Sequence, residues 1–221
     1  TDAITRTEMF ARINTGGTTA NDAEVRRGSL PGPFIDLVIE LAKTPEFEEL
    51  TPISKAHIDK REREELVTRF FAYLEGFESQ MKGGQGDIPA YKESPRTFFF
   101  MFVKDMNERT TAEIQSHGSS KTLIRMRESF FEMLKFVKVI SPNGFTKSRS
   151  GNQVPRVRFE SLAVGSALAI REDKRVLERA PDLTPLLESN EFAKATKSDA
   201  ANVKSKLLGR IRLVKNWILE Q

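Results

Sequence analysis

Cysteine is absent from this chain of 221 residues, which excludes disulfides, thiolate nucleophiles and every cysteine-ligated zinc site. Histidine is scarce too. His57 and His117 are the only two and stand far apart, so a histidine-rich metal centre is not expected. Long apolar runs are also missing: the longest, 98–103 and 162–170, fall short of the roughly 20 residues that span a bilayer. The opening Thr1-Asp2-Ala3-Ile4 has neither the basic nor the apolar region of a signal peptide, and it lacks an initiator methionine; a trimmed start or a fragment is expected. These absences point to a cytoplasmic protein with no membrane partner.

What is present is enough apolar sequence for a core, 38%, together with a formal charge of +4 that is unevenly spread. Lys147, Arg149, Arg156 and Arg158 fall in a stretch with no acidic residue between Ser141 and Phe159. Further on, Lys194, Lys197, Lys204, Lys206, Arg210, Arg212 and Lys215 are opposed only by Asp199. Clustered lysine and arginine gain affinity for nucleic acid by releasing phosphate counterions, so Lys147, Arg149, Arg156, Arg158, Lys204, Arg210 and Arg212 are candidate nucleic-acid contacts. A solvated helix face explains the same charges without a partner.

The apolar spacing is helical almost throughout. Phe34, Leu37, Val38 and Leu41 form one stripe behind Pro33, which suits a first helical turn, and a short helix is expected over 44–50. A longer helix is predicted over 59–76 with Leu66, Val67, Phe70, Phe71 and Leu74 inward. A loop follows over 79–93, whose Gly83-Gly84-Gln85-Gly86 lacks the Lys-Ser/Thr of a phosphate loop. Helices are then expected over 94–109, apolar nearly all round and therefore buried, and over 120–140, ending at Pro142-Asn143-Gly144. Residues 145–158 can form one short β-hairpin around Ser150-Gly151-Asn152, with Pro155 confining any strand to an edge. A small-residue helix over 159–170 and a basic helix over 203–219 complete a mainly α, multi-helix bundle.

The opening of the chain carries the most distinctive pattern. Arg12 and Asn14 sit on the last turn of a helix begun by a Thr5 to Glu8 capping box, and Gly16-Gly17 reverses the chain. Asn21 can cap the next helix with Glu24 three positions on. A guanidinium, an amide, a glycine turn and a helix N-terminus thus converge where an anion could sit. A plain helix–turn–helix corner fits the spacing equally.

The pattern Phe-x-Arg-x-Asn-x-Gly-Gly, followed by Glu24-x-Arg26 and Gly32-Pro33-Phe34, resembles the N-terminal domain family of GmrSD-type modification-dependent restriction endonucleases. That family is a branch of the ParB/sulfiredoxin-like superfamily found in bacterial phage-defence proteins. The similarity runs over 4–42, continues through Glu64-Glu65-Leu66-Val67-Thr68-Arg69-Phe70, and is echoed at Arg156-Val157-Arg158-Phe159-Glu160-Ser161-Leu162. The family's Asp-Gly-Gln-Gln-Arg block and His-Asn-His nuclease do not occur in these residues.

The resemblance implies the helical part of a longer parent: 1–50 as the edge of a ParB-like nucleotide-binding unit, and 51–221 as an all-α domain. It implies that Arg12, Asn14, Gly16, Gly17, Glu24 and Arg26 form one wall of a nucleotide pocket or its hinge. Arg12 and Arg26 would contact phosphate, and Glu24 would orient Arg26 or cap the turn. No catalytic residue, metal ligand or cofactor is assigned to this chain; a nucleoside triphosphate with magnesium belongs to the full-length parent. Expected partners are the N-terminal domain of the same polypeptide, with DNA and self-association compatible. The alternative is a helical adaptor without nucleotide or DNA function.

Overall fold

The computed structural model describes residues 20–78, 91, 92, 94–148, 150–197 and 201–221, which contain twelve helices and no strand. The first, α1 (Asp22–Ser29), begins with the predicted capping box. Asn21 Oδ1 accepts from the amides of Ala23 and Glu24 at 2.9 and 3.1 Å, and Glu24 Oε2 accepts from the Asn21 amide at 2.8 Å. Helix α2 (Pro33–Leu41) is capped from a distance. Asn107 Oδ1 accepts from the amides of Phe34 and Ile35 at 3.0 and 3.2 Å, while its Nδ2 donates to Leu30 O at 2.9 Å. Gly32 permits this approach, since a Cβ there would stand 2.6 Å from Asn107 Cγ.

Three helices follow: α3 (Pro45–Leu50), α4 (Lys55–Asp59) and α5 (Glu62–Glu78). The helix expected over 59–76 starts at Glu62, and an unexpected short helix, α4, precedes it; Arg61 between them takes a φ of 57° that a continuous helix cannot contain. Helix α6 (Pro95–His117) runs past the expected stop at 109 and closes at Gly118, whose φ of 74° lets its amide donate to Ile114 O. It is not buried all round. Phe98 and Phe99 face the core, while Met101 is 48% exposed, because α6 flanks the bundle and packs mainly on α2 and α5. Helix α7 (Lys121–Ile140) matches its expected span, capped by Ser120 Oγ accepting from Leu123 N.

The hairpin expected within 145–158 does not form. Its described residues make turns, with Ser141 Oγ donating to Gly144 O, Gly144 at a φ of 53°, and Phe145 N donating to Leu50 O. The reason is burial: Phe145 and Val154 drop into the core, and Pro155 caps the next helix in place of pairing with a strand.

That helix, α8 (Arg156–Glu172), is the axis of the fold. Every residue from Arg158 to Ile170 is buried, against α5, α7 and the C-terminal helix α12 (Lys204–Glu220). Gly165 makes the closest crossing; a Cβ would lie 2.8 Å from Val214 Cβ and 2.9 Å from Ile211 O. The short helices α9 (Val176–Arg179), α10 (Thr184–Leu187) and α11 (Asn190–Ala195) bridge α8 to α12. One core runs from Leu30 to Ile218, on both sides of the expected boundary at residue 50. Edge-to-face phenylalanines knit it, among them Phe47 and Phe70 with Phe130 at 5.2 and 5.5 Å.

Candidate anion-binding site

The basic residues singled out in the sequence divide into those locked inside the bundle and those left facing a cleft. Inside, a relay of alternating charges crosses four helices. Arg26 of α1 pairs with Glu65 of α5, and Glu65 accepts from Arg69 Nε at 2.7 Å. Arg69 Nη1 then donates to Glu160 of α8 at 2.5 Å, and Arg210 Nη2 of α12 donates to the other Glu160 oxygen at 2.6 Å. The rings reinforce it: Arg69 lies 4.9 Å and Arg26 5.7 Å from the centre of Phe99. Burial alone would raise the Glu65 carboxyl, but Arg26, Arg69 and Arg156 outweigh it and hold it at about 2.

This relay removes two expected ligand contacts. Arg210 is turned inward and its charge is met by Glu160, so it is no part of a surface for nucleic acid. Arg26 does not present its guanidinium to phosphate, because Glu65 takes it. Glu24 is engaged by the Asn21 cap. Glu24 thus fills the capping role that was one of its two expected ones, while Arg26 is turned into the bundle. Arg12, Asn14, Gly16 and Gly17 lie outside the described residues, as does Arg149.

Arg156 stands on the surface in a bidentate pair with Glu62, at 2.7 and 2.6 Å. Lys204 and Arg212 are half-buried on α12, and Lys147 is exposed. The remaining candidate, Arg158, is different from all of these. It is 7% exposed, and among the described residues no carboxylate or carbonyl pairs with its guanidinium. Its Nε has no hydrogen-bond partner, and its carbon lies 5.6 Å from the centre of the Phe192 ring. Desolvation pushes its pKa below the usual arginine value, with no opposing carboxylate.

Arg158 lines two adjoining spaces. One is a polar pocket of about 130 Å³, walled by Ser141, Asn143, Lys147, Thr184 and Glu188 among others. The second is a cleft of about 610 Å³ between the start of α8 and helices α10 and α11, with Val157, Leu187 and Phe192 on its walls and Lys147 and Lys197 beside them. The arrangement can hold an anion: a buried guanidinium, two exposed ammonium groups beside it, and neutral donors at Asn143 and Thr184, with the exposed Glu188 on the rim as the one opposing charge of the lining among the described residues. The charge-run reading found Lys147 and Arg158 in the sequence. It missed Asn143, which the turn after α7 brings to the pocket, and Thr184, Leu187 and Phe192, which approach Arg158 only through the fold of α10 and α11.

Among the described residues no helix is long and apolar enough to cross a membrane. Compared with known proteins, the chain matches no family model, no curated protein and no solved structure.

Proposed function

We propose that this chain is a helical nucleic-acid-binding module that holds a phosphate group at the cleft around Arg158. The observation that carries the reading is a buried guanidinium without a counter-charge among the described residues. Taking a cation out of water costs several kcal/mol unless an anion and hydrogen bonds compensate. Each of the other deeply buried arginines, Arg26, Arg69 and Arg210, meets a carboxylate. Phosphate oxygens at Arg158 would supply what the protein does not, and Lys147 and Lys197 would add the outer, salt-sensitive contacts. Binding by a helical part of a GmrSD-like defence protein, as the opening block implies, agrees with this reading.

A helical adaptor is the second reading. Its supporting observation is an apolar cleft of about 680 Å³ on α7, near Phe131, Val139 and Leu177, with Val139 66% exposed. Fluorescence anisotropy of labelled DNA across a salt series separates the two. Nucleic-acid binding predicts that log affinity falls linearly with log salt, and that Lys147→Ala lowers the slope by about one contact. Absence of salt-dependent binding overturns it.

A further inference from the structure

The two spaces that meet at Arg158 are unequal in size and in chemistry. At about 30 Å³ per liquid water, the 130 Å³ pocket has room for about four waters, which suits one tetrahedral phosphate group better than a sugar or a base. The 610 Å³ cleft beside it falls within the range of small-molecule sites, and its lining is largely apolar. Lys147, Arg158 and Leu187 belong to both, so a group in the pocket is continuous with a body in the cleft.

An internal phosphodiester is flanked by sugars on both sides and must lie along an open groove. A terminal phosphomonoester is flanked on one side only and can enter a small pocket. It also carries up to two negative charges at neutral pH, since its second pKa is about 6, and two cations line the pocket. The Phe192 ring faces the Arg158 guanidinium and holds it in place at the pocket mouth. Glu188, exposed on the rim, opposes an anion only through screened solvent.

We infer, resting on the phosphate-binding reading above, that the Arg158 pocket takes a terminal phosphomonoester, of a strand end or a free mononucleotide, in preference to an internal phosphodiester. The attached sugar and base lie in the wider cleft against Val157 and Leu187.

The test compares oligonucleotides of one sequence that carry either a terminal phosphate or a terminal hydroxyl, with a mononucleotide and its nucleoside as competitors. One charge-assisted hydrogen bond gained corresponds to about tenfold or more in affinity. The phosphorylated strand should bind about tenfold more tightly, and Arg158→Met should abolish the difference while circular dichroism shows the helices intact. Lys147→Ala, on an exposed side chain, serves as the second variant and should narrow the difference. Competition by the mononucleotide but not the nucleoside assigns the site to free nucleotides as well; phosphate-dependent strand binding without that competition assigns it to strand ends. Equal affinity for the two strands overturns the terminal-phosphate inference and leaves the phosphate-binding reading standing. Failure of both strands to bind overturns the reading beneath it.

Discussion

Arg210 and Glu160 meet at 2.6 Å with side chains only 2% and 1% exposed, so a basic residue of the last helix lies at the centre of the bundle. Two positions before Glu160 on the same helix is Arg158. Residues at i and i+2 of an α-helix point to nearly opposite sides, so α8 sends a carboxylate into the paired interior and an unpaired guanidinium toward the cleft. The two arginines have opposite surroundings: Arg210 is met by a carboxylate, and Arg158 by none among the described residues.

Removal of Glu160 leaves Arg69 and Arg210 buried beside each other with no shared acceptor. Glu160→Ala should therefore lower the unfolding free energy by roughly 3–5 kcal/mol in urea titration. Arg210→Ala should be costly as well, and the double variant should fall short of the sum, because each single change already breaks the same pair. Additive losses would show that the two residues act independently.

Glu65 gives the protein an acid-sensitive element. Its folded-state pKa, about 2, lies below the ordinary 4.5. A depressed carboxylate contributes stability that is complete above the unfolded value and fades as pH falls from about 4.5 toward 2, on the order of 3 kcal/mol in all. The urea midpoint should drop across this window. Glu65→Gln should be less stable at neutral pH and show a shallower drop, while the slope from other carboxylates, such as Glu113 with its hydrogen bonds from Ser120 and Thr122, stays the same. Parallel pH profiles for the two proteins would rule Glu65 out.

The start of α2 depends on a residue far along the chain. Asn107→Ala removes the acceptor for two amides and the donor to Leu30 O, and should cost about 1–2 kcal/mol. Gly32→Ala drives a methyl group into the same amide. Because both disrupt one contact, their thermal-denaturation losses should combine to less than the sum.

These contacts explain what could be read in the sequence. The Asn21 and Glu24 capping box is local, three residues across, and was legible as such. So were α2, α7 and α12, whose apolar stripes repeat at helical spacing. The charge relay was not legible, because apart from Glu65–Arg69 its pairs are 39, 91 and 50 residues apart and a periodic basic helix looks the same whether Arg210 faces water or Glu160. The hairpin expectation failed for a similar reason: turn residues around Ser150 gave a local signal, but burial of Phe145 and Val154 in the distant core decided the path. Helices α9 to α11 are too short for periodicity to reveal, and they carry Leu187 and Phe192 to the cleft. Lys147 and Arg158 were visible as charges, and their difference from Arg156 became visible only through Glu62.

If Arg158 is held for a ligand, it does not brace the fold. The most direct measurement is the unfolding free energy of Arg158→Met in phosphate-free buffer. Methionine keeps the apolar stem over Phe192 and removes a buried charge with no partner among the described residues, so the variant should be as stable as the wild type, or more so, while losing the preference for a terminal phosphate. A loss of more than about 2 kcal/mol would mean that the guanidinium supports the fold itself and would contradict the account.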